Sequence, residues 1–212
     1  MTIPPEIQDL VDNPSEAPHV ELKEWIDLSD NLVRAKTARH LAALANFGGG
    51  SFIVGVRDDL SLDPNNPKDH SQYSRDKFAG IVDKFLTPVF QCEVFLVTPS
   101  SGGLARVVVR VPSHGSVPVC AKANGPADER GNIQGIRKGE HYIRVPGPKS
   151  VAVDTPELWQ QLIHRCVLND SHKLLESFGR ILRPLETNTP EHNEAALREW
   201  HAGMRKRFEE ML

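Results

Sequence analysis

LVRAKTARHLAALANFGGGSFIVGVRDD, residues 32–59, holds a change of period on which the fold turns. Over Leu32–Asn46 the small and apolar residues Leu32, Ala35, Ala38, Ala42 and Ala45 recur at helical spacing, with Leu41 and Leu44 beside them. Arg34, Lys36, Arg39 and His40 lie largely off that stripe, which predicts an amphipathic helix. Asn46-Phe47-Gly48-Gly49-Gly50 stops it, because Asn and Gly tolerate the left-handed backbone of a helix end. Ser51 to Val56 (SFIVGV) then reads as a buried strand, closed by the turn-rich stretch from Asp58 to Asp69. The order helix, glycines, strand is the reverse of a phosphate-cradling loop, where a strand precedes the glycines and a helix N-terminus meets the anion. With no GxxxxGK[ST] and no GxGxxG, a nucleotide-hydrolysing site is not expected, and the glycines read as a tight connection.

Outward from this stretch, residues 1–18 form a proline-rich, acidic arm with one short helix expected over Pro5–Val11. A helix is expected over 74–86, ending before Pro88. Glu93–Thr98 and Ala105–Val111, joined through Ser100-Ser101-Gly102-Gly103, predict a hairpin. Val117–Ala121 and His141–Val145 have strand character and flank a polar loop over 124–139. The composition changes after Pro146-Gly147-Pro148, and Thr155-Pro156-Glu157 combines a capping residue with proline at the first helical position. Helices are expected over 156–168, 170–183 and 191–212. The domains expected are therefore an α/β domain over residues 1–150 and a C-terminal helical extension over 155–212, with the boundary near 146–155. The fold class is α/β (α+β): a mixed β-sheet flanked by helices.

With 212 residues, 39% hydrophobic and 25% charged, the chain has the balance of a globular protein. No window nears the roughly 18 apolar residues that span a membrane. The first residues lack the basic and apolar regions of a secretion signal, and three dispersed cysteines form no CxxC pair. These features point to the cytoplasm and to no membrane partner. A net charge of −3 means that any nucleic-acid contact needs a local basic patch. Lys122, Arg130, Arg137, Lys138, Arg144 and Lys149 supply candidates in the second half of the domain, whereas acids concentrate near the N-terminus. The nine histidines form no HExxH or other close ligand pair and read as surface or loop residues; His19, between two acids, is the one to watch.

The acids form a different pattern. Glu16 and Glu21 stand five residues apart, Glu21 and Lys23 share one face of an extended segment, and Asp58-Asp59 follow the strand SFIVGV at its C-terminal end. Two readings stay open on spacing alone. The carboxylates are solvated, or they gather to hold a hard cation, Mg²⁺ or Mn²⁺, that activates water against a phosphodiester, with Lys23 on the phosphate.

Glu16-Ala17-Pro18-His19-Val20-Glu21-Leu22-Lys23, the helix ending Ala42-Ala43-Leu44-Ala45-Asn46, and Gly48-Gly49-Gly50 running into Gly55-Val56-Arg57-Asp58-Asp59 together resemble the Schlafen AlbA-like domain family. Tyr142-Ile143-Arg144 before Pro146-Gly147 is similar to that family's Tyr-Ile-Arg segment, and the resemblance spans about residues 14–152. Leu22 replaces the usual Phe, and Leu60-Ser61 stand where a glycine often follows the paired aspartates. The resemblance implies a nucleic-acid-binding domain. Its nuclease members imply more: a metal-dependent endoribonuclease cutting structured RNA such as tRNA, in a setting such as phage defence. Glu16, Glu21, Lys23 and Asp58 would be the catalytic set, with Glu16, Glu21, Asp58 and Asp59 as metal ligands to Mg²⁺ or Mn²⁺. Asp58 is favoured over Asp59 because it completes Gly-Val-x-Asp. Lys122, Arg137, Lys138 and Arg144 would contact RNA or DNA. Schlafen cores resemble two such domains forming a cradle, so one domain per chain implies a homodimer or larger assembly. The alternative is a non-catalytic nucleic-acid-binding, regulatory or assembly module. An apolar stripe in the terminal run (Leu197, Trp200, Met204, Phe208) suits either packing onto the domain or a partner helix.

Overall fold

Asp30 begins the central helix by accepting hydrogen bonds on its side chain from Leu32 N (2.6 Å) and Val33 N (3.3 Å), which satisfies two of the free N–H groups of the first turn. The computed structural model describes residues 3–147 and 149–168, and the helices expected over 170–183 and 191–212 lie outside them. The described residues fall in one unit, Met1–Ser171. In order they form α1 (Pro5–Asp12), β1 (Val20–Lys23), α2 (Asn31–Phe47), β2 (Gly50–Val54), α3 (Arg75–Phe85), β3 (Leu86–Thr87), β4 (Glu93–Val97), β5 (Arg106–Val111), β6 (Cys120–Ala121), β7 (Tyr142–Val145) and β8 (Lys149–Ala152), then a helix α4 over residues 156–168. The fold is the expected mixture of helices and sheet.

The main sheet has the order β1-β2-β5-β4. β1 and β2 run parallel, with Glu21 opposite Phe52 and Lys23 opposite Val54, while β2–β5 and β5–β4 are antiparallel. A parallel pair needs a crossover, and α2 supplies it. The two-residue alternation of the strands then sorts side chains into two layers. Val20, Leu22, Ile53, Phe95, Val97 and Val108 pack on Ile7 and Val11 of α1. Phe52, Val54, Val107, Val109 and Val111 pack on the other face, against α2 and α3.

α2 ends where the glycines stand, and two of them have identifiable reasons. Gly48 takes φ +112°, and its N–H bonds Ala45 O (3.2 Å) while Gly49 N–H reaches back to Leu44 O (2.9 Å). Gly50 lets β1 approach, because a Cβ there would stand 2.3 Å from His19 O. The predicted stripe is buried from Ala35 to Ala45, with Leu32 half-buried, but so are Thr37, Ala43 and Asn46 outside it. The β7–β8 hairpin covers α2 on a second side, which makes the helix internal rather than half-exposed.

Two expectations change. Val117–Ala121 shortens to β6, which pairs with β3. The boundary expected near 146–155 instead carries β8, paired with β7 from Tyr142–Ala152 to Val145–Lys149. α4 starts where expected, with Thr155 Oγ1 capping Leu158 N (3.3 Å), and it packs through Leu162 on Ile143 and Val153 as part of the same unit. The apolar period of β8 is weak, so pairing with β7 is what makes it a strand.

Asn46, which sequence reading treated as a helix stop, ties the layers together. Its buried amide donates to Val119 O and Tyr142 O (both 2.9 Å) and accepts from Val119 N (2.7 Å). Asn46→Ala strands three buried backbone groups and is expected to cost at least about 3 kcal/mol in urea unfolding. Asn46→Asp, which cannot donate, should be similarly damaging; a loss under about 1 kcal/mol for either would refute this role.

Candidate functional site

Because Val20 and Leu22 face α1, the alternation of β1 turns Glu21 and Lys23 together toward α2, as the spacing predicted. Glu21 is buried there, 5% exposed, and both carboxylate oxygens are taken. Oε1 accepts from Lys23 Nζ (2.6 Å) and lies 3.2 Å from His40 Nδ1 on α2. Oε2 pairs with Arg144 Nη1 from β7. Arg144 is 1% exposed and spends its other donors on the same neighbourhood: Nη2 to Val20 O (2.7 Å), Nε to Pro18 O (3.1 Å) and Nη1 to Ser150 Oγ (3.2 Å). His40 Nδ1 is also 3.1 Å from Ser150 Oγ.

Burial opposes ionisation of Glu21, but the His40 hydrogen bond, with Lys23 behind it, outweighs burial and holds the carboxyl down to about 2. Burial holds His40 below the ordinary imidazole value despite Glu21 beside it. At neutral pH the pair is therefore a carboxylate and a neutral imidazole, and the network assigns the ring proton to Nδ1, donating to Glu21.

The remaining expected acids do not join them. Glu16 is exposed ahead of β1, and Asp58 and Asp59 are exposed in the turn after β2. Parallel pairing puts the start of β1 and the end of β2 at opposite ends of the strand pair, which separates Glu16 from Asp58-Asp59. Asp59 is turned onto Ser61, accepting from its N (2.9 Å) and Oγ (2.5 Å). Among the described residues no group of three His, Cys, Asp or Glu side chains is placed to hold a metal ion. Glu16, Glu21, Asp58 and Asp59 thus do not fit a shared Mg²⁺ or Mn²⁺. Asp63, a second buried acid outside the expected set, accepts from Trp25 N (2.9 Å) and Asn65 N (3.0 Å), tying the loop after β2 to the chain leaving β1.

Arg144 likewise leaves the expected nucleic-acid surface, because its guanidinium is consumed inside the domain. Lys122 is exposed and 3.5 Å from Asp83. Arg137 and Lys138 are exposed on the 124–139 loop, which is firmly held. Its tip is wrapped on Asp128, whose carboxylate accepts from Arg130 N (2.9 Å), Asn132 N (2.8 Å) and Gln134 Nε2 (3.0 Å). At its base Ile136 is buried, Arg137 N donates to Tyr142 Oη (3.0 Å), and Lys138 N to Asn124 Oδ1 (2.7 Å). Gly135, at φ +81°, lies on α2 so closely that a Cβ would stand 2.9 Å from Ala35 Cβ and 3.1 Å from Lys36 N.

The loop therefore brings Arg137 and Lys138 to the part of α2 that carries Lys36 and Arg39. α2 contains no Asp or Glu. Among the described residues Lys36, Arg39, Arg137 and Lys138 form no ion pair. The contribution of His40 was missed because it was read as one of nine scattered histidines. The available signal was its place on an acid-free helical run, four residues after Lys36.

No family model matches the chain. No curated protein matches it either. Among solved structures it is similar to the crystal structure of the DIP2311 protein from Corynebacterium diphtheriae, at 18% identity and a TM-score of 0.42 over 68% of this chain. The chain spans 23% of the length of that protein.

The buried network sets an acid limit on stability. Both Glu21 and His40 are depressed in the folded state, so each contributes stability above its unfolded value and loses it as pH falls. Thermal melts should begin to weaken below about pH 6.5 as unfolded His40 gains its proton, and again between about 4.5 and 2 through Glu21. Glu21→Gln leaves Arg144 buried without its counter-charge and is expected to cost about 3–5 kcal/mol at pH 7. It should also flatten the lower step, and an unchanged acid profile in that variant would contradict the assignment.

Proposed function

We propose that the chain is a nucleic-acid-binding module that grips the phosphate backbone of RNA or DNA through Lys36, Arg39, Arg137 and Lys138, with Lys23 at the margin. One observation carries this reading: a firmly held loop docks its cations beside an acid-free helix, and those cations have no acidic partner among the described residues. Unpaired, pre-positioned cations bind phosphates without first breaking an internal ion pair or ordering a segment. The motif resemblance to Schlafen AlbA-like domains supports the same partner class. Arg144 is withdrawn from the contact set and Lys122 stands at its edge. The metal-dependent endoribonuclease draws support from the resemblance alone, since its carboxylates do not converge. In this reading the module works in the cytoplasm, and a second copy supplies the other half of a cradle. A strict monomer in light scattering at micromolar concentration would count against the dimer.

Binding of a tRNA-length RNA, followed by fluorescence anisotropy, should weaken linearly in log salt, by roughly 0.7–0.9 in slope for each phosphate neutralised. Arg137→Ala with Lys138→Ala should weaken binding about tenfold or more at low salt and flatten that slope by about 1–2. Unchanged affinity in the double variant would refute the surface.

A further inference from the structure

We propose that β4 is a self-association edge: two copies of the chain join their sheets by antiparallel pairing of β4 with the second copy's β4, about a two-fold axis at Phe95. The inference rests on the second copy of the reading above and names its contact, but it draws only on the sheet. Hydrogen-bond parity decides which groups of β4 face outward. Ser51 N–H bonds His19 O (2.8 Å), so Ser51 and Ile53 turn their backbone groups to the β1 side. Successive residues alternate, so Phe52 and Val54 face β5, where their partners are Val109 and Val107. Arg106, Val108 and Arg110 are left to bond β4, opposite Val97, Phe95 and Glu93. The N–H and C=O groups of Val94 and Leu96 therefore point away from the sheet. Among the described residues no hydrogen bond from outside the sheet reaches them.

The side chains agree with the backbone. Phe95 and Val97 are buried on the α1 layer, whereas Val94 and Leu96 alternate to the other face. Leu96 lies opposite Val107, which is buried because Val54 flanks it on its far side. Leu96 has no strand beyond it and is 52% exposed. Open edges are ordinarily blunted by lysine, proline, a bulge or a covering group. At the opposite edge Arg144 does this, with Nη2 on Val20 O (2.7 Å). β4 (EVFLV) has no lysine, no proline and an unbroken register from Glu93 to Val97.

The strand is its own complement, which is why the occupant is a second copy. Centred on Phe95, Val94 stands opposite the second copy's Leu96, and Leu96 opposite its Val94. Every outward N–H and C=O of both strands is then paired, and the accessible apolar side chains cover one another. Glu93, the only charge on β4, meets the second copy's Val97 and not a second carboxylate. A slip of one residue sets outward groups against groups already spent on β5. A slip of two sets Leu96 opposite Cys92, ahead of the strand, or Val94 opposite Thr98, whose carbonyl already accepts from Gln8 Nε2 (3.0 Å). Reciprocal matching of this kind is what an isologous contact requires. A foreign strand gains the same backbone bonds without it.

The test is light scattering of the full chain over a micromolar concentration series, where the mass should rise toward twice that of one chain. Leu96→Lys sets a charge on the seam, and Leu96→Pro removes an outward N–H that β5 does not use. Each should weaken the dimer at least about tenfold, because the two-fold axis repeats every loss. Directly opposite residues of a hydrogen-bonded pair lie about 5.5 Å apart at Cα, within disulfide range. Mixed Val94→Cys and Leu96→Cys chains should therefore cross-link under oxidation far more than either alone, whose cysteines face each other only diagonally. In wild type, amide exchange at Val94 and Leu96 should slow as concentration rises. Exchange that stays constant while the mass doubles overturns the proposal even if a variant fails to fold. A dimer of unchanged affinity in both Leu96 variants, or equal cross-linking by one cysteine variant alone, overturns this contact and leaves the second copy standing. A mass that remains that of one chain overturns the contact and the second copy together, while RNA binding is judged separately by anisotropy.

Discussion

The buried pairing of Arg144 with Glu21 is the constraint on which the rest of this domain depends. Two charges removed from water are tolerated only when their mutual attraction is joined by hydrogen bonds to the remaining donors and acceptors. Arg144 meets that condition with Pro18 O, Val20 O and Ser150 Oγ, and Glu21 with Lys23 and His40. β1 is an edge strand, and its outer carbonyls would otherwise be open to pairing. The guanidinium takes the outward carbonyl of Val20 and that of Pro18 just before the strand. The pair therefore anchors the β7–β8 hairpin to the edge strand, and His40 on the same carboxylate ties α2 to it.

That constraint also decides which side chains remain available for chemistry. A carboxylate whose two oxygens are bound to Lys23, His40 and Arg144 has little left for an external cation. Its charge instead orients the His40 imidazole, which burial holds below its ordinary value and so keeps neutral. Among the described residues Lys36, Arg137 and Lys138 lie outside the network, exposed and without an ion pair, and Arg39 is half-buried beside them. A chain of net charge −3 thus carries a local run of positive charge on α2, which contains no Asp or Glu.

Local steric needs hold the frame together at two glycines. Gly50 admits the backbone of His19, and Gly135 seats the basic loop on Ala35 and Lys36. In both places the function of the residue is to be absent beyond Cα, so that backbone meets backbone. Asn46 complements them by satisfying three backbone groups that such close approach would otherwise leave without water.

Much of this was determined locally. The span of α2, the strand after the glycines, the 93–111 hairpin, α4 and the shared face of Glu21 and Lys23 follow from periodicity, helix-end chemistry and turn residues, which act within a few positions. What only tertiary structure decided involves partners far apart in the chain. Glu21 meets Arg144 across 123 positions, a distance over which sequence spacing carries no information. Strand direction is equally silent in sequence, and it is the parallel pairing of β1 with β2 that parts Glu16 from Asp58. β8 became a strand because β7 was there to pair with it. Arg144 looked like a surface cation, and His40 like one histidine among nine, until burial and a shared carboxylate gave each a place.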